Sequence, residues 1–206
     1  MCVESCAVRS ALLNKFRSKL EFLVNTAATH ISKTRFTPNT LTFLSLLASL
    51  LGVPLVILTQ RGLVLVAVII VSGFLDALDG ALARISGKST LRGALLDSFI
   101  DRICEATYAL ALLLLGVDVY AVLVFLTLSF LVSYLRARGE ALGVALTGVG
   151  LMERAERLIG LILVSTIIDV ADLLLANTAL VLVAFLTGVT VIQRFLYTWR
   201  QLSSVK

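Results

Sequence analysis

Four carboxylates carry the chemistry in this 206-residue chain: Asp76 and Asp79, then Asp97 and Asp101. On helices, residues three or four apart share a face, so each pair points one way. The short connection at 86–90 makes the two helices antiparallel neighbours, and all four carboxylates can then converge on one point. Like charges brought together in a low dielectric repel strongly. Arg84 and Arg102 are too few to neutralise them all. Hard divalent cations with oxygen ligands can do so, and Mg²⁺ or Mn²⁺ is the natural choice beside phosphates. Gly80, Ala83 and Gly93 fall in the same stretch. Such small residues either let helices approach closely or leave room for a ligand.

The elements that must position these groups lie in a membrane. Apolar types make up 59% of the chain and charged types 15%, against roughly 45–50% and about 25% in soluble proteins. Mean hydropathy is +1.01. Those values exclude a disordered chain and a disulfide-stapled secreted module, and no alternating strand pattern suggests a barrel. The reading is an all-α integral membrane protein. Six transmembrane helices are predicted at about 40–59, 62–83, 94–116, 118–135, 153–170 and 174–197. An N-terminal amphipathic juxtamembrane helix at 10–31 precedes them. It either lies on an anionic membrane surface or docks on the rest of the protein. Residues 1–36 would form the tail and juxtamembrane helix, and 37–206 the transmembrane domain. Thr37-Pro38-Asn39-Thr40 reads as a helix start, because proline suits a first turn and Thr or Asn can cap its free N–H groups. With six spans, every one of the eighteen Lys and Arg residues except Arg61 falls on the side of the two termini. The positive-inside rule then puts both termini, and the acidic cluster, on the cytoplasmic face of a multi-pass cell-membrane protein. The first twenty residues predict no signal peptide. Cys2, Cys6 and Cys104 have no metal-binding spacing and read as free thiols. His30, the sole histidine, reads as solvated or interfacial.

Residues 76–101 spell D-x-x-D-G-x-x-A-R, eight residues, then G-x-x-x-D-x-x-x-D. Asp76, Asp79, Gly80, Ala83, Arg84, Gly93, Asp97 and Asp101 occupy all eight fixed positions. With each type used at several per cent, a chance match at one start is roughly one in 10⁹. The pattern resembles the signature of the CDP-alcohol phosphotransferases, integral membrane enzymes of phospholipid synthesis. Length, juxtamembrane helix and six spans are also similar to that family. The resemblance implies that Asp76, Asp79, Asp97 and Asp101 hold two divalent ions, Mg²⁺ or Mn²⁺, beside the pyrophosphate of a CDP-activated lipid. It implies that Asp101 is also the general base: the acceptor alkoxide attacks the phosphorus nearest the lipid and CMP leaves. Arg84 would support the phosphates, and Gly80, Ala83 and Gly93 would admit the cytidine part. Thr90 and Thr37, Pro38, Asn39 and Thr40 match positions that contact the CDP part; the latter four would look the same as a plain helix cap. The family forms homodimers, so a homodimer in contact with membrane lipid is implied.

The acceptor alcohol is read from the second half. Ser133-Tyr134-Leu135-Arg136-Ala137-Arg138-Gly139-Glu140 and the run from Gly148 to Arg157 are similar to the inositol-phosphate branch of the family. By position, Arg136, Arg154 and Arg194 would bind the phosphate of inositol 1-phosphate or another phosphorylated alcohol, with Arg138 and Arg157 as alternatives in register. Guanidinium groups suit this because they clamp phosphate oxygens bidentately. Glycerol 3-phosphate is the second candidate. A neutral alcohol would leave the basic groups without a charge partner. A transporter is the rival of another class, but its intramembrane acids typically sit at mid-span, and no paired halves are visible. Despite a pI of 9.4, the basic residues follow topology instead of a groove-sized stripe, so nucleic-acid binding is not expected.

Overall fold

The computed structural model describes residues 22–32 and 36–203. Its secondary structure among these is entirely helical: α1 (22–31), α2 (Pro38–Thr59), α3 (Gly62–Ile85), α4 (Leu91–Leu114), α5 (Val119–Ala141), α6 (Arg154–Val170) and α7 (Leu173–Ser203). Each of the six expected spans is a helix. Four of them, α2, α3, α5 and α7, are long and apolar enough to cross a membrane. The other two fall short for visible reasons. The first fifteen residues of α4 carry Arg92, Asp97, Asp101, Arg102 and Glu105, and α6 has only 17 residues with Arg154, Glu156 and Arg157 in its first turn. Of the expected juxtamembrane helix, residues 10–21 lie outside the described residues.

The chain divides into two compact units that share α2, α3 and α4 between them. The first takes the described residues up to Leu47 together with Val71–Ile100. Here α1 docks through Val24 and Ala28, four residues apart and hence on one face, against Leu41 of α2 and Leu78, Ala81 and Leu82 of α3. Its neighbours Phe22 and Leu23 stay exposed. Of the two alternatives for this helix, docking on the protein is therefore realised in its described part, with an apolar edge left over. Ser72 on α3 donates a buried hydrogen bond to the Ser45 carbonyl on α2 (2.9 Å), tying the two helices together.

The second unit takes Ala48–Ile70 and Asp101 onward. α7 packs along both α5 and α6. Gly160 brings α6 so close to α7 that a Cβ there would sit 3.0 Å from the Val183 methyls. Gly52 does the same for the facing part of α2 and α3, where a Cβ would lie 2.6 Å from Val68. Acidic residues in the connections cap helices, accepting from the N–H groups that a first turn leaves unpaired. Asp118 accepts from Ala121 N (2.8 Å) to cap α5, and Asp172 from Leu175 N (2.7 Å) to cap α7. Asp169, at the end of α6, reaches across to α3. Its Oδ1 accepts from Gly62 N (3.0 Å) and its Oδ2 from Leu63 N (2.7 Å).

Asp169→Ala would leave both N–H groups without that acceptor. The expected cost is about 1–2 kcal/mol, read as a lower midpoint of thermal unfolding in detergent. An unchanged midpoint would mean that water replaces the cap at no cost.

Candidate active site

Two clusters emerge, one in each unit. In the first unit a cavity of about 220 Å³ opens where the end of α3, the connection 86–90 and the starts of α2 and α4 meet. Pro38, Asn39, Gly80, Ala83, Arg84, Thr90 and Gly93 line it, with Asp79 and Asp97. Thr42, Lys88 and Ser89 line it too and were not anticipated from the sequence. The helix-start motif divides its work. Thr37 Oγ1 accepts from Thr40 N (3.3 Å) and bonds Thr40 Oγ1 (2.8 Å), so these two threonines shape the α2 cap and do not line the cavity. Thr90 does both: its Oγ1 accepts from Gly93 N (3.0 Å), capping α4, while it forms part of the wall. At Gly93 a Cβ would lie 3.1 Å from Thr90 Oγ1 and 3.4 Å from Asn39 Oδ1, and at Gly80 one would lie 3.4 Å from Arg84 Nη1. Side chains at either glycine would narrow the cavity.

The carboxylates suit a cation. Asp76 and Asp97 offer oxygens within 4.8 Å of each other. Asp101 follows Asp97 one turn on along α4. Asp79 stands apart from that group, facing the cavity, and its Oδ2 is buried with no hydrogen-bond partner among the described residues. A buried carboxylate oxygen without a donor carries a large desolvation cost, which a bound cation would remove. Oxygen-only donors of this kind fit Mg²⁺ or Mn²⁺.

In the second unit Asp101 is held from two sides. Arg154 Nη2 lies 2.7 Å from its Oδ1, and Arg102 Nη1 donates to its Oδ2 at 3.2 Å. The expected acceptor arginines differ in surroundings. Arg136 is half exposed and pairs with Glu140 one turn on (2.9 Å). Arg194 is buried, its Nε donating to Val149 O (2.9 Å) and its Nη1 to Val132 O (2.8 Å), with Nη2 3.6 Å from Glu153 Oε1. Arg194 thus reaches α5 one turn from Arg136 and reaches the residue next to Arg154, so the three arginines belong to one region. Gly150 (φ +115°) permits this closeness, because a Cβ there would collide with Thr190. Of the register alternatives, Arg157 is fully buried in a bidentate pair with Glu105 (Nε to Oε1 2.7 Å, Nη2 to Oε2 3.3 Å) and also donates to Met152 O (3.2 Å). The sequence held a signal for this pair. Glu105 follows Asp101 by four residues and Arg157 follows Arg154 by three, so on two helices the second pair stacks on the first.

Comparison with known proteins fits this arrangement. A family model described as CDP-alcohol phosphatidyltransferase matches residues 35–193. The archaetidylinositol phosphate synthase of Aeropyrum pernix is 37% identical over 189 residues, which is 90% of this chain and 95% of that protein. The protein of the same name from Pyrococcus horikoshii is 37% identical over 186 residues, 89% of this chain and 94% of its own. The crystal structure of Mycobacterium tuberculosis phosphatidylinositol phosphate synthase with CDP-DAG bound matches with a TM-score of 0.75 at 30% identity, covering 85% of this chain and 93% of that one. The structure of that enzyme in complex with manganese and citrate gives the same TM-score and identity, covering 85% and 88%.

Asp97→Asn is expected to weaken Mn²⁺ binding by at least about tenfold, the lower end of what loss of even an outer-shell partner costs. The electron-spin resonance signal of free Mn²⁺, titrated with purified protein, reads this directly. Full affinity in the variant would remove Asp97 from the ligand set.

Proposed function

The chain belongs to the CDP-alcohol phosphatidyltransferase family, and from that premise we propose that it transfers the phosphatidyl-type group of a CDP-activated lipid to inositol 1-phosphate, releasing CMP. The donor is CDP-diacylglycerol or CDP-archaeol. One observation carries the choice of acceptor: Arg154, a phosphate-binding candidate, lies 2.7 Å from Asp101, the candidate base. A phosphorylated alcohol gripped by Arg154 brings its hydroxyl to that carboxylate. The names of the relatives support the same choice.

In this reading the cytidine diphosphate occupies the cavity of the first unit, between Pro38, Asn39, Gly80, Ala83, Thr90 and Gly93, with Thr37 and Thr40 holding the start of α2. Arg84 supports the pyrophosphate. Asp76, Asp79, Asp97 and Asp101 hold two divalent ions, Mg²⁺ or Mn²⁺, which when bound supply charge neutralisation for the pyrophosphate and the leaving group. Arg136, Arg154 and Arg194 receive the acceptor phosphate by charge-assisted hydrogen bonds. Asp101 takes the proton of the acceptor hydroxyl. The oxygen attacks the phosphorus nearest the lipid, the bond from that phosphorus to the bridging oxygen breaks, and CMP leaves with the electron pair.

The same reading extends to topology. It has residues 1–36 as tail and juxtamembrane helix and 37–206 as a six-span domain, with α4 and α6 spanning through charged ends that face the site. Both termini and the site are cytoplasmic, which the distribution of basic residues supports. The chain works as a homodimer in contact with membrane lipid. α5 exposes Leu123, Val124, Phe130 and Leu131 to either neighbour.

The test is CMP release by purified protein with each CDP-lipid and each metal, offering inositol 1-phosphate, glycerol 3-phosphate, serine and free inositol in parallel. Release with inositol 1-phosphate alone is expected; release with glycerol 3-phosphate in its place would overturn the acceptor assignment. Asp101→Asn is expected to lower turnover by more than about a hundredfold in protein that still elutes as a folded species. Near-normal turnover there would remove Asp101 as the base.

A further inference from the structure

The proposed reaction makes no use of one deeply buried ion pair in the second unit. Glu105 and Arg157 have side chains only 5% and 3% exposed and meet through both arms of the guanidinium. The third nitrogen, Nη1, donates to Met152 O. All three nitrogens of Arg157 are thus committed inside the protein. We propose that Glu105 and Arg157 are positioning residues, a buried pair that sets α6 against α4 so that Arg154 meets Asp101 and can present the acceptor. This rests on the assignment of Arg154 to the acceptor phosphate.

The geometry is a two-rung ladder. Asp101 pairs with Arg154; one turn on along α4, Glu105 pairs with Arg157, one turn on along α6. The two helices therefore run side by side in the same direction at this point. The upper rung is dry and bidentate, while Arg154 at the lower rung is about one-third exposed and can exchange its partner for substrate. A helix rises about 1.5 Å and turns about 100° per residue. A slide of α6 by one residue would swing Arg154 away from Asp101, and the fork at Glu105 opposes that slide. The grip on Met152 O matters as well. Arg154 is the first residue of α6, and Glu153 before it makes no side-chain cap bond. Arg157 reaches back one turn and fixes the chain at the point where it enters the helix.

A buried ion pair is a poor source of net stability, since desolvation of both charges offsets their attraction. Apolar residues of similar volume commonly do as well. Where such a pair fixes the register between helices, its loss costs geometry more than stability. That difference separates a positioning role from a merely structural one.

The experiment replaces both charges, Glu105→Met with Arg157→Met, in the full chain in lipid nanodiscs. CMP release is measured against varied inositol 1-phosphate and, separately, varied CDP-lipid, beside a thermal midpoint. The expected result is a midpoint close to that of the wild type, a KM for the phosphorylated acceptor raised about tenfold or more, and a KM for CDP-lipid within about twofold. An unchanged acceptor KM in the folded double variant, or equal rises in both KM values, would overturn the proposal. If the double variant does not fold, Arg157→Lys decides. It keeps the charge pair but loses the fork and the hold on Met152 O. A selective rise in acceptor KM of about threefold or more supports positioning, and no selective rise overturns it. Wild-type protein that turns over no phosphorylated acceptor would defeat the assignment of Arg154, a result seen before any variant is compared.

Discussion

Carboxylates at membrane depth are the constraint around which the rest is arranged. Each costs several kcal/mol to hold ionised away from water, and neighbours of like sign add repulsion. The first unit nonetheless places Asp76, Asp79 and Asp97 on two helices joined by a short connection. What makes this tolerable is local. Arg84 closes the last turn of α3, where a cation is favoured by the helix dipole. Lys88 stands with it on the cavity wall. The remaining demand, most plain at the buried Oδ2 of Asp79, is for a cation that the chain itself does not supply. A divalent cation bound there would complete the charge balance of the site.

In the second unit the helices meet in contacts that leave little slack. Gly52 against Val68 and Gly160 against Val183 bring backbones within reach of neighbouring side chains, where one added methyl would collide. The connections contribute fixed points instead of slack, since Asp118, Asp169 and Asp172 each close a helix terminus. Such rigidity suits a reaction whose groups must hold position within a fraction of an ångström while charge redistributes.

Much of this was legible in the sequence. The apolar runs set the helices to within three residues, except that α5 and α7 each run six residues past their expected ends at 135 and 197, where polar and charged residues continue the helix. The motif from Asp76 to Asp101 exposed the acidic cluster by spacing alone. Other features depend on which of several equivalent residues the fold brings close. Nothing in the type or position of Asp169 tells that it caps a helix far back in the chain. Thr37 and Thr40 could not be told from Pro38 and Asn39 by type, and only the fold separates cap from cavity wall. Arg157 and Arg154 were interchangeable in register until Glu105 was found to engage one and Asp101 the other. In α4, charge that marks the site also dilutes the hydropathy by which a span is recognised.

The cap that Asp169 supplies to α3 has a consequence for biosynthesis. Donor Gly62 and acceptor Asp169 are separated by 107 positions. When α2 and α3 first leave the ribosome, the residue that closes the first turn of α3 has not been made. That end must be held by water or lipid headgroups until α4, α5 and α6 have followed. The first turn of α3 then gains this acceptor only when the end of α6 has been made. Non-local closures of this kind slow folding, because the loop entropy is spent before the contact forms. The start of α3 is thereby completed only at a late step in synthesis.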